Sequence, residues 1–204
     1  MIGIVDYGIG NIHAFSRVFK ILGMPHTLLS DAKDFEDNIS KIILPGVGAF
    51  DHAMHTLNNS GLRDKLDEFV LERELPTLGV CVGFQIFCKS SQEGSESGLG
   101  WISEEVVRLD DSKLDDYMPL PHMGWNNIEV MNDNDLISGI DTEEGFYFLH
   151  SYQVTSSEDS IIARSHYGGA ITSIYNHKNL YGIQPHPEKS HSNGVRFLKN
   201  FGDL

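Results

Sequence analysis

Residues 78–85 read Leu78-Gly79-Val80-Cys81-Val82-Gly83-Phe84-Gln85. A short apolar run that begins after Pro76 stops at a cysteine standing two residues from a glycine on either side, and a helical pattern follows. A strand that turns tightly into a helix holds its turn residue at the carboxyl edge of a parallel sheet, where open α/β folds place their ligands. The same geometry is the nucleophile elbow, whose central residue is strained and pointed outward. Gly79 and Gly83 supply the clearance, since side chains there would meet the neighbouring strand or helix. The helix N-terminus favours a thiolate and offers free backbone N–H groups to an anion. The competing reading of a free cysteine, an inert small hydrophobe in the core, is assigned to Cys88, on the apolar side of the segment beyond the turn. Cys81 is read as a nucleophile.

Outward from the elbow, the first half alternates strands and helices. Ile2–Val5, His26–Leu29, Lys41–Leu44 and Thr77–Val80 read as strands. Helical spacing of Ile12, Phe15, Phe19 and Leu22 ends at Gly23, and it resumes from about Phe50, across Leu62–Leu71 and from Gln85 to Lys89. Pro45-Gly46-Val47-Gly48 closes its strand abruptly. Strand and helix in alternation with short connections imply parallel pairing with right-handed crossovers. After a polar loop, Ser91–Trp101, the runs at Val106–Val107, Ile128–Val130, Phe146–Leu149, Ile161–Ala163 and Ile171–Tyr175 read as antiparallel additions or an edge extension of the sheet. A last helix spans roughly Gly194–Phe201. The expected fold is α/β: a doubly wound, mostly parallel sheet flanked by helices, with antiparallel strands added in the second half. No repeat or linker divides residues 1–204, so one domain is expected.

Composition narrows the class. The net charge of −14 over 204 residues argues against nucleic acid, which needs clustered Lys and Arg. Two cysteines, 81 and 88, do not make a disulfide framework, and a reducing compartment follows. The opening MIGIVDYGIGN lacks a basic segment and meets Asp6, unlike a signal peptide. No apolar run approaches the ~20 residues that span a bilayer. The expectation is a cytoplasmic protein without membrane contact.

A cysteine nucleophile needs a base and a group that orients the base. His186-Pro187-Glu188 follows the strand-like Leu180–Ile183, and two prolines stiffen it. A carboxylate two residues from an imidazole on one side of an extended segment can accept the Nδ1 hydrogen, fixing the tautomer. Two other readings stand beside it: a strand-end histidine next to a surface glutamate, and metal ligation by His186, Glu188 and His191. The second lacks a CxxC or HxxxH pattern, so no metal or cofactor is expected.

Together these residues resemble the triad-type (class I) glutamine amidotransferases, whose G-x-C-x-G-x-Q pattern is met by Gly79, Cys81, Gly83 and Gln85. The histidine–proline–glutamate segment is met by 186–188, about a hundred residues on. Asp6–Asn11, Pro45–Phe50, Pro121–Asn126 and Phe146–Tyr152 are similar to the glutaminase subunits of imidazole glycerol phosphate synthase, and the likeness covers essentially the whole chain. One departure is Pro185, where that family carries phenylalanine, which puts the placement of His186 in question. A second is Glu188–His191 with Gly98–Ile102, closer to relatives that serve surface-sugar amidation.

The resemblance implies a catalytic set of Cys81, His186 and Glu188 that hydrolyses L-glutamine to L-glutamate and ammonia. It implies oxyanion donors at Val82, Val47 and Gly48, the latter two in a switching loop with Gly46. It further implies glutamine contacts at Gly48, Gln85, Ser151 and Tyr152, and a heterodimer with a cyclase-type (β/α)₈-barrel that receives the ammonia. Asn11, Trp125, Tyr147 and Lys189 match positions that face that partner. The residues alone also allow plainer readings: a strand-ending turn for 45–48, and core aromatics for Trp125 and Tyr147. Three functions compete with the leading one. They are a glutaminase serving a sugar, a cysteine peptidase or γ-glutamyl hydrolase on the same elbow, and a silent scaffold.

Overall fold

The computed structural model describes residues 1–114 and 117–204. Strands β1 (Ile2–Val5), β2 (His26–Leu29), β3 (Lys41–Gly46) and β4 (Thr77–Cys81) are interleaved with helices α1 (Ile12–Leu22), α2 (Phe50–Asn59) and α3 (Arg63–Asp67). Helix α4 (Val82–Gln85) follows β4 without a break. The second half contributes β5 (Ser90–Ser91), β6 (Glu105–Arg108), β7 (His122–Asn126), β8 (Glu129–Val130), β9 (Phe146–His150) and β10 (Tyr152–Val154). It closes with β11 (Ile161–His166), β12 (Ala170–His177), β13 (Leu180–Ile183) and α5 (His191–Asp203).

The main sheet has the order β2-β1-β3-β4-β13-β12-β11-β8. Its first five strands are parallel, and β12, β11 and β8 extend it antiparallel. The sequence dictates this split. β1 is apolar along its whole length, β4 is apolar after Thr77, and both are buried at every residue, as strands covered on both faces must be. Helix α1 turns Ile12, Phe15 and Phe19 onto the sheet, and Gly23 at φ 68° ends it in the left-handed conformation. β13 returns late in the chain to lie beside β4, and so the segment after β13 reaches the same sheet edge as the elbow.

Several expectations are corrected. β3 runs on to Gly46 instead of stopping at Leu44, because its neighbour β4 continues to Cys81 and pairs with Gly46. The helix expected over Gln85–Lys89 is instead Val82–Gln85. Residues 98–102 take its next carbonyls, with Leu99 N–H on Ile86 O, Ile102 on Phe87, Gly100 on Cys88 and Gly98 on Lys89. The 62–71 helix changes after Asp67 into a π-helical stretch, Glu68–Glu72. The last helix starts earlier, at His191.

Two of the expected sheet additions are separate. β5, β6 and β10 form a small sheet of their own, and β9 pairs with β7 in a two-stranded ribbon. The ribbon is two-faced. His122 and Asn126 stand opposite His150 and Phe146 on the inner face, while Met123 and Trp125 stand opposite Leu149 and Tyr147 on the outer one. Met123, Trp125 and Leu149 remain 64%, 44% and 36% exposed, so the outer face is an uncovered apolar strip.

Candidate active site

The elbow forms because β4, β3 and α4 meet almost backbone to backbone. A Cβ added to Gly83 would lie 1.9 Å from Leu44 O, one on Gly79 2.5 Å from Phe84 Cα, and one on Gly46 2.3 Å from Gly83 N. Cys81 itself takes φ 54° and ψ −114°, a conformation that costs about 1–3 kcal/mol for a residue with a Cβ. That strain aims the side chain away from the core, into a cleft of about 510 Å³. Val47, Gly48, Cys81, Val82, Gln85, Ser151, Tyr152, His186 and Lys189 all line this cleft.

His186 arrives from the end of β13, held by its own N–H on Tyr147 O at 2.9 Å. Pro185 leaves that placement intact. Nδ1 donates to Glu188 Oε1 at 2.9 Å, and both side chains are buried. Nδ1 therefore carries a hydrogen, and Nε2 is the nitrogen left for the cleft that His186 and Cys81 both line. Burial opposes charge on this imidazole, yet hydrogen bonds with Cys81 and Glu188 outweigh it and raise its pKa to about 10. Cys88, by contrast, is fully buried, and burial pushes its thiol upward. His191 stacks toward Trp125, with ring centroids 4.9 Å apart. Among the described residues no group of three His, Cys, Asp or Glu is placed to hold a metal ion.

The positions expected to face a partner divide in two. Trp125, Tyr147 and Lys189 cluster: the two rings meet edge-on at 6.4 Å, and Lys189 Nζ lies 5.8 Å from the Tyr147 ring. Asn11 is exposed at the N-cap of α1, beyond the carboxyl end of β1.

Five contributors were not read from the sequence. Tyr7 is buried and donates from its hydroxyl to Pro45 O at 3.0 Å, pinning the start of the Gly46–Gly48 loop. Burial, and secondarily the charge of Cys81, pushes its phenol upward. Glu93 lines the cleft and accepts the Phe50 N–H at 2.9 Å. Asp51 in turn accepts from the N–H groups of Ser95 and Glu96, which hold its carboxyl below the usual range. These reciprocal bonds tie the polar loop to the N-terminus of α2.

The other two are His122 and His150, buried beneath the ribbon. His150 Nδ1 meets Tyr152 O at 2.9 Å, and a carbonyl only accepts, so the hydrogen is on Nδ1 and Nε2 is an acceptor. His122 Nδ1, 3.2 Å away, must donate to it. Burial holds His122 at about 4 and His150 at about 3, both neutral.

A strained cysteine thiol, an imidazole with its tautomer fixed by a buried carboxylate, and helix N–H groups around one cleft define a thiol enzyme that attacks acyl carbons. The glutamine amidotransferase class-I family matches residues 3–203, and the chain belongs to it. Within that family it groups with imidazole glycerol phosphate synthase subunits HisH. It is 44% identical to the one from Leptospira interrogans and 42% identical to the one from Bdellovibrio bacteriovorus, each time over all of both chains. Solved structures share the fold. A glutamine amidotransferase superposes with TM-score 0.72 at 16% identity, covering 100% of this chain and 99% of that one. PurLQS from Thermotoga maritima gives 0.67 at 16% identity, covering 98% and 95%.

Proposed function

We propose that this chain is the glutaminase subunit of an imidazole glycerol phosphate synthase, acting as a single domain in the cytoplasm. The observation that carries it is the meeting of Cys81 and His186 in one cleft, with Glu188 buried behind the imidazole, on a chain 44% identical over its whole length to such a subunit.

The thiolate of Cys81 attacks the side-chain amide carbon of L-glutamine. The oxyanion that forms is received by the Val82 N–H, first in α4 and without an intrahelical partner, and by a peptide N–H of the Val47–Gly48 loop. His186 gives its Nε2 proton to the amide nitrogen as the C–N bond breaks, and ammonia leaves. Water then gives a proton to Nε2 and attacks the γ-glutamyl thioester. The C–S bond breaks, releasing glutamate and restoring the thiolate. Gly48, Gln85, Ser151 and Tyr152 hold the glutamine. Glu93, a carboxylate on the cleft wall, suits the substrate's ammonium group.

Ammonia in water at neutral pH is mostly protonated and unreactive, so a protected handover to a second site follows. The outer ribbon face, Met123, Trp125, Tyr147 and Leu149, adjoins the cleft through Leu149 and offers the apolar surface for a (β/α)₈-barrel cyclase partner in a heterodimer. Lys189 flanks this approach, and Asn11 at the N-cap of α1 is a further exposed position for the partner. The test is glutaminase turnover of wild type and Cys81→Ala with the cyclase and its acceptor. Loss of glutamate release in the variant supports the proposal, and wild-type turnover in it refutes the proposal.

A further inference from the structure

Gln184 is fully buried two residues before His186, in a segment whose alternation sends 184 and 186 to the same side. Its backbone N–H is already used by Ser173 O at 2.9 Å. Its side chain belongs to a polar chain with only one consistent orientation. His150 Nδ1 and Gln85 Nε2 both donate to Tyr152 O, the latter at 3.0 Å. Because that carbonyl can only accept, the nitrogen of Gln85 must face it. The second N–H of the same nitrogen points to Gln184 at 3.0 Å, and Gln184 must answer with its oxygen. The Gln184 nitrogen is thereby turned toward Cys81 Sγ, 3.6 Å away. On the same side, Leu149 O at 3.9 Å from the sulfur is an acceptor that suits the thiol and not the thiolate, so beside the His186 imidazole Gln184 is the donor aimed at it.

We propose that Gln184 is a positioning residue for the nucleophile, its amide N–H directed at the sulfur of Cys81 by Gln85 so as to hold the thiolate toward the cleft. This rests on Cys81 being the nucleophile and adds a role to the reaction above. The logic is that of charge: an anion buried at an elbow needs donors that do not move when it forms. Gln184 is held by two residues of other elements, so its donor is in place before the proton leaves. Gln85 then acts twice, lining the glutamine site and setting the amide behind the sulfur.

The test uses Gln184→Met, similar in size but without a donor, and Gln184→Glu, which places a second anion beside the sulfur. Alkylation of Cys81 by iodoacetamide across pH reads thiolate formation without glutamine binding. The proposal expects Gln184→Met to move the alkylation midpoint upward by about one pH unit. It also expects kcat to fall about tenfold while KM moves less than about threefold. Gln184→Glu should lose about a hundredfold or more in kcat, since repulsion adds to the lost donor. Should Gln184→Met fail to fold, Gln85→Met frees the Gln184 amide to rotate and is expected to shift the alkylation profile in the same direction. A folded variant whose alkylation profile and kcat both match wild type overturns the proposal. Cys81→Ala alongside separates that outcome from failure of the nucleophile assignment, because only the latter leaves Cys81→Ala active.

Discussion

Replacing Glu188 by glutamine removes one charge and almost no volume. Burial works against a charged His186, and its pKa nevertheless reaches about 10 because Cys81 and Glu188 hold the protonated ring. The Glu188 side chain is 2% exposed, so water cannot take its place. A hydrogen bond to a charged partner contributes about 1.5–3 kcal/mol, which is roughly a 10- to 150-fold effect on rate. The amide adds a second fault. Its NH₂ can turn to Nδ1 and force the ring hydrogen onto Nε2, the atom that must accept a proton from the thiol or from water. Loss of tautomer control brings the expected fall in kcat to about 10³-fold or more. The assay is glutamate release with the cyclase present, run beside cyclase turnover on added ammonium salts, which should be unchanged. A fall in kcat of less than about tenfold, in a variant that still binds the cyclase, would refute the reasoning.

Further outcomes follow from other parts of the site. Tyr7→Phe removes the hydroxyl that pins Pro45 O, and kcat should fall about tenfold while the melting temperature changes little. Equal turnover would show that the loop holds itself. Gly83→Ala sets a Cβ 1.9 Å from Leu44 O, where backbone cannot yield. Urea unfolding should show a loss of about 3 kcal/mol or more, or no soluble protein. Stability should peak near pH 6.5. The contribution of His186, whose folded pKa is raised, is complete below about 6.5 and lost as pH rises toward 10. Those of His150 and His122, whose folded values are depressed, are present above 6.5 and lost as pH falls toward 3–4. Urea midpoints between pH 6.5 and 5, before most carboxylates titrate, should decline more gently in His150→Gln.

What the sequence made legible was whatever short-range pattern controls. The glycines at 79 and 83 announce the elbow because no other residue lets strand and helix backbones touch there, and the His186–Glu188 spacing announces a carboxylate-held imidazole within three residues. The parallel half of the sheet follows from short, mostly apolar strands alternating with helical segments. The partner strand of β9 was not legible, since Phe146–His150 alternates identically in a ribbon and at a sheet edge. The short length of α4 was hidden too, because the 98–102 segment that captures its carbonyls is remote in sequence. Tyr7 and Glu93 act on the 45–50 loop from 38 and 43 residues away, and nothing local marks them. Gln184 had a local signal, its even spacing from His186, but its meaning depends on Gln85 and Tyr152.

One side chain must attack glutamine's amide carbon. The glutamine-like electrophile diazo-oxonorleucine alkylates that side chain through its diazomethyl carbon, with loss of N₂, and peptide mass spectrometry then identifies the labelled residue. The adduct is expected on the peptide carrying Cys81 at a position separable from Cys88, with glutaminase turnover lost in step with labelling. An adduct on Cys88 or on another side chain, with turnover lost alongside it, would contradict the assignment of the nucleophile.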